Sequence, residues 1–282
     1  MLQKNELLRQ LAAHWHQVRE SNPLIHCLTH PITMNDSANA ILAVGARPNM
    51  AGHPREAAEV VGDARALVVN LGNITDDRMA AMEAAGLRAK EAHIPRLIDV
   101  VGVGCSTLRL DFGRRWIREY TPQIIKGNSS EILALAGDTA HASGIDAGTA
   151  DVVTDENMAV MARPFTAYAK AVGAVVLATG PVDVITDGVT TLGVANGTPK
   201  LARLTGTGCM AGALAGVYLA VANPLEAALL GVAMMNLAGE EAALQTQGLG
   251  SFHVALFDAL SLLKGEDIQR RLRLLDGDGN WL

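Results

Sequence analysis

The sequence predicts an α/β protein with a central, mostly parallel sheet flanked by helices on both faces. Short apolar runs alternate with segments of helical periodicity, and this order is typical of parallel strands joined by crossover helices. Hydrophobic residues make up 49% of the 282 residues but aromatic residues only 4%, which suits helices packed closely on a sheet. Neither a linker-like stretch nor an internal repeat interrupts the alternation, so residues 1–282 are expected to form a single domain.

The predicted strands are short apolar runs that end at polar or glycine-containing turns. They cover residues 23–28, 66–72, 96–101, 123–128 and 174–178, with a turn and a brief extended piece at residues 45–50. Two further runs, residues 182–185 and 189–194, flank Thr186-Asp187-Gly188, and an Asp-Gly turn in that setting is typical of a β-hairpin. We expect this hairpin at an antiparallel edge of the sheet.

The predicted helices occupy the segments between these runs. They cover residues 1–20, 34–44, 54–62, 75–92, 224–245 and 252–263, and others begin near Glu131, end at residues 168–172 and follow the loop at residues 204–208. The tail from Gly265 is rich in charged residues, so we expect it to be peripheral.

Composition excludes several classes of protein. The net charge is −6, from 23 basic and 29 acidic residues, and without a basic run nucleic acid is not an expected partner. Three widely separated cysteines, Cys27, Cys105 and Cys209, predict neither a disulfide framework nor a zinc site. The first 20 residues are too charged for a signal peptide, and no run reaches the ~20 uninterrupted apolar residues of a membrane span. We therefore expect a cytoplasmic protein with no membrane partner.

The most informative segment is Leu204–Tyr218, where a glycine-punctuated loop runs into an apolar helix. Gly206 and Gly208 permit backbone conformations closed to other residues and let a ligand approach the main chain. The first amides of the helix, with Thr207 and Gly208 in the loop, are expected to form an anion site suited to phosphate. The alternative is a tight structural turn.

Cys209 falls in the first turn of this helix. A helix N-terminus tends to lower the pKa of a thiol, so we expect Cys209 to act as a base or nucleophile, with bound ATP opposing that shift. The alternative is an inert, buried cysteine.

Polar side chains recur at the ends of the predicted strands, where α/β sheets bind ligands. We expect them to share one rim with the loop before Cys209. Two carboxylates there suit Mg²⁺, and a cation, a hydroxyl and backbone amides suit phosphates, so the set indicates phosphoryl transfer. Neither the P-loop signature nor the glycine-rich loop of protein kinases occurs. These residues are Asp99, Lys126, Asn128, Glu131 and Thr179.

Along nearly its whole length the sequence resembles the hydroxyethylthiazole kinase family of thiamine salvage. The glycine loop that ends in cysteine is the most specific motif, because related ribokinase-like enzymes usually place an aspartate base there. The other matching pieces are Ser21–His26, Ala43–Met50, Lys126–Ile132, Thr179–Val184 and Gly250–Phe252.

The resemblance implies a ribokinase-like fold, a homotrimer with its substrate pocket near subunit interfaces, and ATP- and Mg²⁺-dependent phosphorylation of the primary alcohol of 4-methyl-5-(2-hydroxyethyl)thiazole. It also implies a role for each matching residue. By this resemblance, Met50 and Gly206 contact the thiazole, and Lys126 and Thr179 contact ATP. Asp99 and Glu131 organise Mg²⁺. Cys209 is the catalytic base that faces the substrate hydroxyl.

Four positions depart from the family pattern. His30 replaces the usual asparagine and Val100 replaces the usual proline. Lys126 replaces a common arginine and Pro181 replaces a common glutamate. Lysine keeps the charge but lacks the planar fork of arginine. Two alternatives therefore stay open: a kinase for another small heteroaromatic alcohol, such as a hydroxymethylpyrimidine, or a thiazole- or nucleotide-binding protein with weakened turnover. Cys209 argues against the first. A protease-like cysteine nucleophile lacks a histidine placed by any sequence signature.

Overall fold

The computed structural model describes residues 4–137 and 148–282, and in these residues nine strands form one continuous sheet. The strands are β1 (Leu24–Leu28), β2 (Arg47–Asn49), β3 (Ala66–Asn70), β4 (Arg96–Asp99), β5 (Ile124–Asn128), β6 (Val175–Thr179), β7 (Asp183–Thr186), β8 (Thr191–Val194) and β9 (Leu274–Asp276). Their order is β2-β1-β3-β4-β5-β6-β7-β8-β9. All pairs from β2 to β6 are parallel and all pairs from β6 to β9 are antiparallel, so the mostly parallel sheet is confirmed.

Twelve α-helices are present in the same residues. They are α1 (Lys4–Ser21), α2 (Met34–Ala43), α3 (Ala57–Gly62), α4 (Asp76–Glu91), α5 (Thr107–Tyr120), α6 (Ser129–Ala136), α7 (Met158–Val172), α8 (Pro199–Ala202), α9 (Thr207–Leu219), α10 (Pro224–Gln245), α11 (Leu249–Leu262) and α12 (Gly265–Arg271). The expected helix near Glu131 is α6; part of the segment after it, residues 138–147, lies outside the described residues.

The sheet separates two apolar cores. One core packs α1, α2 and α9–α12 against one face, and the other packs α3–α7 against the opposite face. Alternate residues of a strand serve different cores: in β3, Val68 belongs to the first and Val69 to the second. Both faces of the sheet are therefore covered, as predicted.

Helix α9 lies between the sheet and α10 and is apolar around its whole circumference. A helix of that kind is stable only where all its sides are buried. Small residues let it approach its neighbours closely: a Cβ on Gly231 of α10 would lie 2.5 Å from the Cα of Ala215, and a Cβ on Gly216 would overlap Val68. This close packing fixes the position of the loop that begins α9.

The C-terminal tail corrects one prediction. It is not peripheral, because α12 packs against α1 and β9 pairs with β8 as the last strand of the sheet. The charged residues of the tail are interleaved with apolar ones that are fully buried, such as Ile268, Leu274 and Leu275. The open edge of β8 offers unpaired backbone groups, and β9 satisfies them. The hairpin of β7 and β8 is confirmed, but β9 and not the hairpin forms the sheet's edge.

Among the described residues, α10 alone has the length and mean hydropathy of a membrane span. However, 72% of its apolar window is buried inside the fold. That burial is the pattern of a helix at the centre of a folded core.

Candidate active site

The strand register aligns three polar residues in one row across the sheet. Two of them, Asp99 and Lys126, were predicted site residues, and the third is Asn70. Asn70 at the end of β3 is the partner of Asp99 in β4, and Asp99 is the partner of Lys126 in β5. The carboxylate oxygen Oδ2 of Asp99 accepts hydrogen bonds from Asn70 Nδ2 and from Lys126 Nζ, each at 3.1 Å. The row faces α9, since a Cβ on Gly212 would lie 3.1 Å from the same oxygen.

The Asp99 and Lys126 side chains are almost completely buried. Burial raises the pKa of Asp99, while Lys126, the backbone amide of Val101 and the side chain of Asn70 oppose that shift. For Lys126 burial works in the lowering direction, but Asp99, with Cys209 and Glu131, holds its pKa above the ordinary value. We take the pair to be ionised, because each group is the other's compensating charge. The second oxygen of Asp99, Oδ1, is buried without a hydrogen-bond partner among the described residues.

Glu131 is fixed by two backbone amides at the start of α6. Its Oε2 accepts from the amide of Asn128 at 2.7 Å as part of a capping box, and its Oε1 accepts from the amide of Gly102 at 2.6 Å. Burial raises the pKa of Glu131 to about 7, although Lys126 and the two amides favour the ionised form. Glu131 thus joins the loop after β4 to the start of α6.

The structure confirms the predicted glycine loop in part: Gly206 caps α9 with a positive φ, but Thr207 and Gly208 belong to the first turn of α9 and not to the loop before it. Gly206 has a φ of 92° and packs against Thr33, where a Cβ would lie 2.8 Å from the threonine methyl group. Among the described residues, the backbone amides of Thr207, Gly208 and Cys209 have no hydrogen-bond acceptor. They form the positive end of α9, and amides left unpaired in this way are able to bind an anion.

The side chains of the anion loop have separate roles. The hydroxyl of Thr207 turns back and donates to the carbonyl of Leu201 at 2.9 Å, so it stabilises the loop. At Gly208 a Cβ would lie 3.3 Å from Lys126 Nζ, so a glycine leaves the ammonium group open to the loop. The loop therefore presents backbone amides and one buried cation to the same space.

The structure reverses the expected pKa shift of Cys209. Burial, followed by the nearby Asp99 carboxylate, raises the pKa of Cys209 to about 11, against smaller lowering contributions from Lys126, Asn70 and Thr33. The expectation from the helix N-terminus fails because the thiol is both desolvated and close to a carboxylate. At neutral pH in the ligand-free protein, Cys209 is a thiol and not a thiolate.

His30 is the functional residue that sequence analysis missed. Its Nε2 lies 3.6 Å from Cys209 Sγ and 3.3 Å from the hydroxyl oxygen of Thr33. The ring is 6% exposed, and it occupies the space that a Cβ on Gly72 would fill. Burial, then Arg78 and Arg109, lowers the pKa of His30 to about 4. His30 had been identified only as a departure from the family pattern, and 179 residues separate it from Cys209.

Two arginines beside His30 were also missed. The guanidinium of Arg78 donates to the backbone carbonyls of Asn70, Gly72 and Asn73 and so holds the loop after β3. The side chain of Arg109, on α5, lies against Gly102, and the backbone amide of Arg109 donates to the hydroxyl of Ser106. Neither arginine has a sequence signature, because both reach the site from helices on the second face of the sheet.

The other predicted residues lie at the carboxyl ends of strands on either side of this centre. Thr179 ends β6 beside Asn128, and its hydroxyl donates to the carbonyl of Gly127 at 3.2 Å. Met50 follows β2, on the far side of β1, and is half-buried against the first core. A cavity of about 440 Å³ lies elsewhere, near the amino ends of β5 and β6, and none of the predicted site residues lines it.

Comparison with known proteins identifies the family. The model of the hydroxyethylthiazole kinase family matches residues 15–266. Hydroxyethylthiazole kinase 2 of Clostridium botulinum strain 657 is 42% identical over 262 residues, which are 92% of this chain and 98% of that protein.

Solved structures agree with this result. A hydroxyethylthiazole kinase protein from Pyrococcus horikoshii OT3 matches with a TM-score of 0.85 at 32% identity, over 95% of this chain and 99% of its own. A ribokinase-like superfamily protein from Enterococcus faecalis, at 12% identity, shares the fold with a TM-score of 0.61 over 86% of this chain and 88% of its own. The ribokinase-like fold is therefore confirmed, and the chain belongs to the hydroxyethylthiazole kinase family.

Proposed function

We propose that this protein transfers the terminal phosphoryl group of ATP to the primary alcohol of 4-methyl-5-(2-hydroxyethyl)thiazole. The observation that carries the proposal is the beginning of α9, where three unbonded amides and Cys209 face the buried pair of Lys126 and Asp99. Amides and a cation stabilise the charge that moves between donor and acceptor oxygens. The name of the Clostridium botulinum relative supports the choice of acceptor.

Each residue acts through the contacts described above. The amides of residues 207–209 and the ammonium of Lys126 bind phosphate oxygens, and Thr179 contacts the nucleotide from the end of β6. Gly206 leaves room for the acceptor beside Thr33, and Met50 offers an apolar surface to the thiazole ring. Cys209 lies beside the acceptor hydroxyl.

The residues fit a magnesium ion held mainly by Asp99. Its buried Oδ1 lacks a hydrogen-bond partner, and Mg²⁺ is commonly bound by one or two carboxylates while keeping several waters. No group of three His, Cys, Asp or Glu side chains suited to a metal converges within residues 4–137 and 148–282, so waters and phosphate oxygens would have to supply most of the ligands of the ion. Glu131 already accepts two amide hydrogen bonds, so we assign it to shaping the loop around the ion. When bound, Mg²⁺ would neutralise charge on the phosphates.

The assay is ATP consumption with the thiazole alcohol, a hydroxymethylpyrimidine and a sugar alcohol, each with and without Mg²⁺. We expect turnover with the thiazole alcohol only, and Cys209→Ala should retain a reduced rate while Cys209→Asp supports turnover. Turnover with the pyrimidine alone would favour a kinase for another heteroaromatic alcohol. Thiazole and ATP binding without any turnover would favour a binding protein with weakened turnover.

We also propose a homotrimer, one domain and a cytoplasmic location. The continuous nine-stranded sheet supports the single domain. The edge position of β2, next to Met50, supports a pocket close to a subunit interface. The need for ATP supports the cytoplasm. Sedimentation equilibrium tests the trimer, and a monomeric active enzyme would exclude it.

A further inference from the structure

We propose that His30 and Cys209 act together as a proton-accepting pair, in which the proton of the acceptor alcohol ends on Nε2 of His30. The inference rests on the proposed phosphoryl transfer and assigns a catalytic role to a residue outside the family pattern. It begins from the 3.6 Å separation of Cys209 Sγ and His30 Nε2, which is hydrogen-bond distance for sulfur.

The surroundings hold the imidazole in place. Thr33 Oγ1 lies 3.3 Å from the same Nε2 and 3.1 Å from Thr29 Oγ1, so a chain of hydroxyls leads to that nitrogen. On the other side of the ring, Gly72 provides the space that any larger residue would take. Nδ1 is buried and has no hydrogen-bond partner among the described residues. Nε2 is therefore the ring nitrogen that faces the reacting groups, and in the neutral imidazole that accepts a proton there, the ring proton is on Nδ1.

The charges around the pair favour a neutral imidazole. Arg78 and Arg109 are the cations near His30, and Asp99, Lys126 and Cys27 are the titratable groups near Cys209. Both arginines oppose protonation of the ring, so His30 is neutral at pH 7 and its Nε2 is able to accept a proton. Burial raises the pKa of Cys209 to about 11, so the side chain is a neutral thiol at pH 7. The thiol therefore needs an acceptor of its own.

The proton transfer balances as follows. The alcohol oxygen forms a bond to the terminal phosphorus of ATP, and the bond from that phosphorus to the bridging oxygen breaks, with its electron pair leaving on ADP. The alcohol proton moves to Cys209 Sγ as the thiol proton moves to His30 Nε2. The alcohol loses its proton late, when the new ester oxygen is strongly acidic, so even a weakly basic imidazole suffices. The imidazolium returns the proton to solvent after the product leaves.

The kinetic test compares the pH dependence of kcat in four proteins: wild type, His30→Gln, Cys209→Ala and the double variant. The wild type should be nearly constant from pH 6 to 9. His30→Gln should lower kcat by about 10²-fold at pH 7 and rise with pH, because only the thiolate then accepts the proton. Cys209→Ala should keep the flat profile at a reduced rate, and the double variant should be the slowest. A flat profile at wild-type rate for His30→Gln would overturn the proposal.

Controls separate chemistry from packing. His253→Gln removes a histidine that pairs with Asp36 outside the site, and it should leave both rate and profile unchanged. Gly72→Ala keeps the imidazole but displaces it from Cys209, so its profile should resemble that of His30→Gln. A lowered but still flat profile for His30→Gln would mean that His30 acts only through packing, and would exclude the proton transfer.

A second measurement needs no turnover. Nitrogen-15 NMR of the ligand-free protein at pH 7 should show that His30 Nε2 carries no proton, with a signal that shifts in Cys209→Ala. A protonated Nε2 would overturn the proposal even if the thiazole kinase assay succeeds. If that assay fails while Nε2 is bare and coupled to Cys209, the error lies in the proposed substrate and not in the pair.

Discussion

Lys126 places its ammonium group in a buried layer between β5 and α9, where Asp99 is its one carboxylate partner in the described residues. The pair therefore serves two purposes. It gives the anion loop a cation near Gly208, and it keeps two charges in a buried site by compensating each with the other. A substitution at either residue changes stability as well as ligand binding.

Lys126→Met tests both purposes. It removes the charge while keeping the length of the side chain, and it leaves the Asp99 carboxylate buried and unpaired. We expect a loss of about 3–5 kcal/mol in the free energy of unfolding, measured with urea, and a higher KM for ATP. The Asp99→Asn/Lys126→Met double variant should recover much of the stability but not the KM. An unchanged KM for ATP with a changed KM for thiazole would contradict the assignment to ATP.

Glu131→Gln exchanges one carboxylate oxygen for an NH2 group, which can only donate hydrogen bonds. Because both oxygens of Glu131 accept from backbone amides, the new donor faces the amide of either Asn128 or Gly102. We expect a loss of about 1–3 kcal/mol in stability and a marked fall in kcat. The exposed Glu119→Gln is the control, and both values should stay at wild type there. Full activity of Glu131→Gln at limiting Mg²⁺ would remove Glu131 from the mechanism.

The sequence predicted which residues form the site better than it predicted their pKa values and contacts. The motif containing Cys209 was recognisable because glycine, threonine and cysteine follow one another in the chain. The pKa of that cysteine was not predictable, since it depends on burial and on Asp99, 110 positions earlier. His30 was recognisable as unusual, but its contact with Cys209 depends on the packing of α2 beside α9.

At the level of elements, the packing of α9 against α10 and the sheet decides where the site forms. Gly212, Gly216 and Gly231 mark the points where two backbones, or a backbone and a buried side chain, come closest. Any shift of α9 would move the anion loop at its beginning. The fold therefore couples the spacing of these layers to the geometry of the site.

Gly231→Ala tests this coupling. Its Cβ would lie 2.5 Å from both the N and Cα atoms of Ala215, and a backbone cannot yield as a flexible side chain does. We expect a loss of at least about 1–3 kcal/mol in unfolding free energy, together with lower kcat. The matched control is Gly250→Ala in α11, where the added Cβ meets nothing within 4 Å and should raise stability by about 0.5–1 kcal/mol. Equal stabilities for the two variants would contradict the account.

The strands and most helices were predictable because their apolar periodicity is strong. The tail was not, since its charged residues outnumber the apolar ones that β9 and α12 bury. Helix α5 was also missed: its apolar residues are spaced among six charged ones, so its buried face is defined by packing against α4 and α6. The buried face of such an amphipathic element is defined by the elements packed against it, and a local sequence pattern does not show those contacts.

Over the whole molecule, the parallel register brings residues that are far apart in the chain together at one site. Asn70, Asp99 and Lys126 come from three successive strands and align because each strand ends at the same edge. The sequence predicted that polar groups would gather there, since parallel strands share a carboxyl-terminal edge. It did not predict which side chains would neutralise one another, because that requires the register.

The same edge continues to Asp183, which joins the sheet to α10. Its Oδ2 accepts from Asn236 Nδ2 at 2.6 Å and its Oδ1 from the amide of Gly180 at 3.0 Å. Burial raises the pKa of Asp183 to about 6, while these two hydrogen bonds and Lys126 reduce that shift. The carboxyl is thus protonated in the folded protein at a pH where the unfolded chain has already lost its proton.

This difference makes global stability depend on pH. The folded state binds the extra proton between about pH 4 and 6, so the contribution of Asp183 is complete below that range and is lost as pH rises through it. A shift of about two units corresponds to about 3 kcal/mol. Asp183→Asn is neutral at every pH, so the difference in unfolding free energy between wild type and variant should fall by about that amount from pH 4 to 7. The exposed Asp187→Asn in the hairpin turn controls for the loss of one charge. If urea titrations give a constant difference across this range, Asp183 is ionised in the fold, and its two hydrogen bonds outweigh the cost of burying its charge.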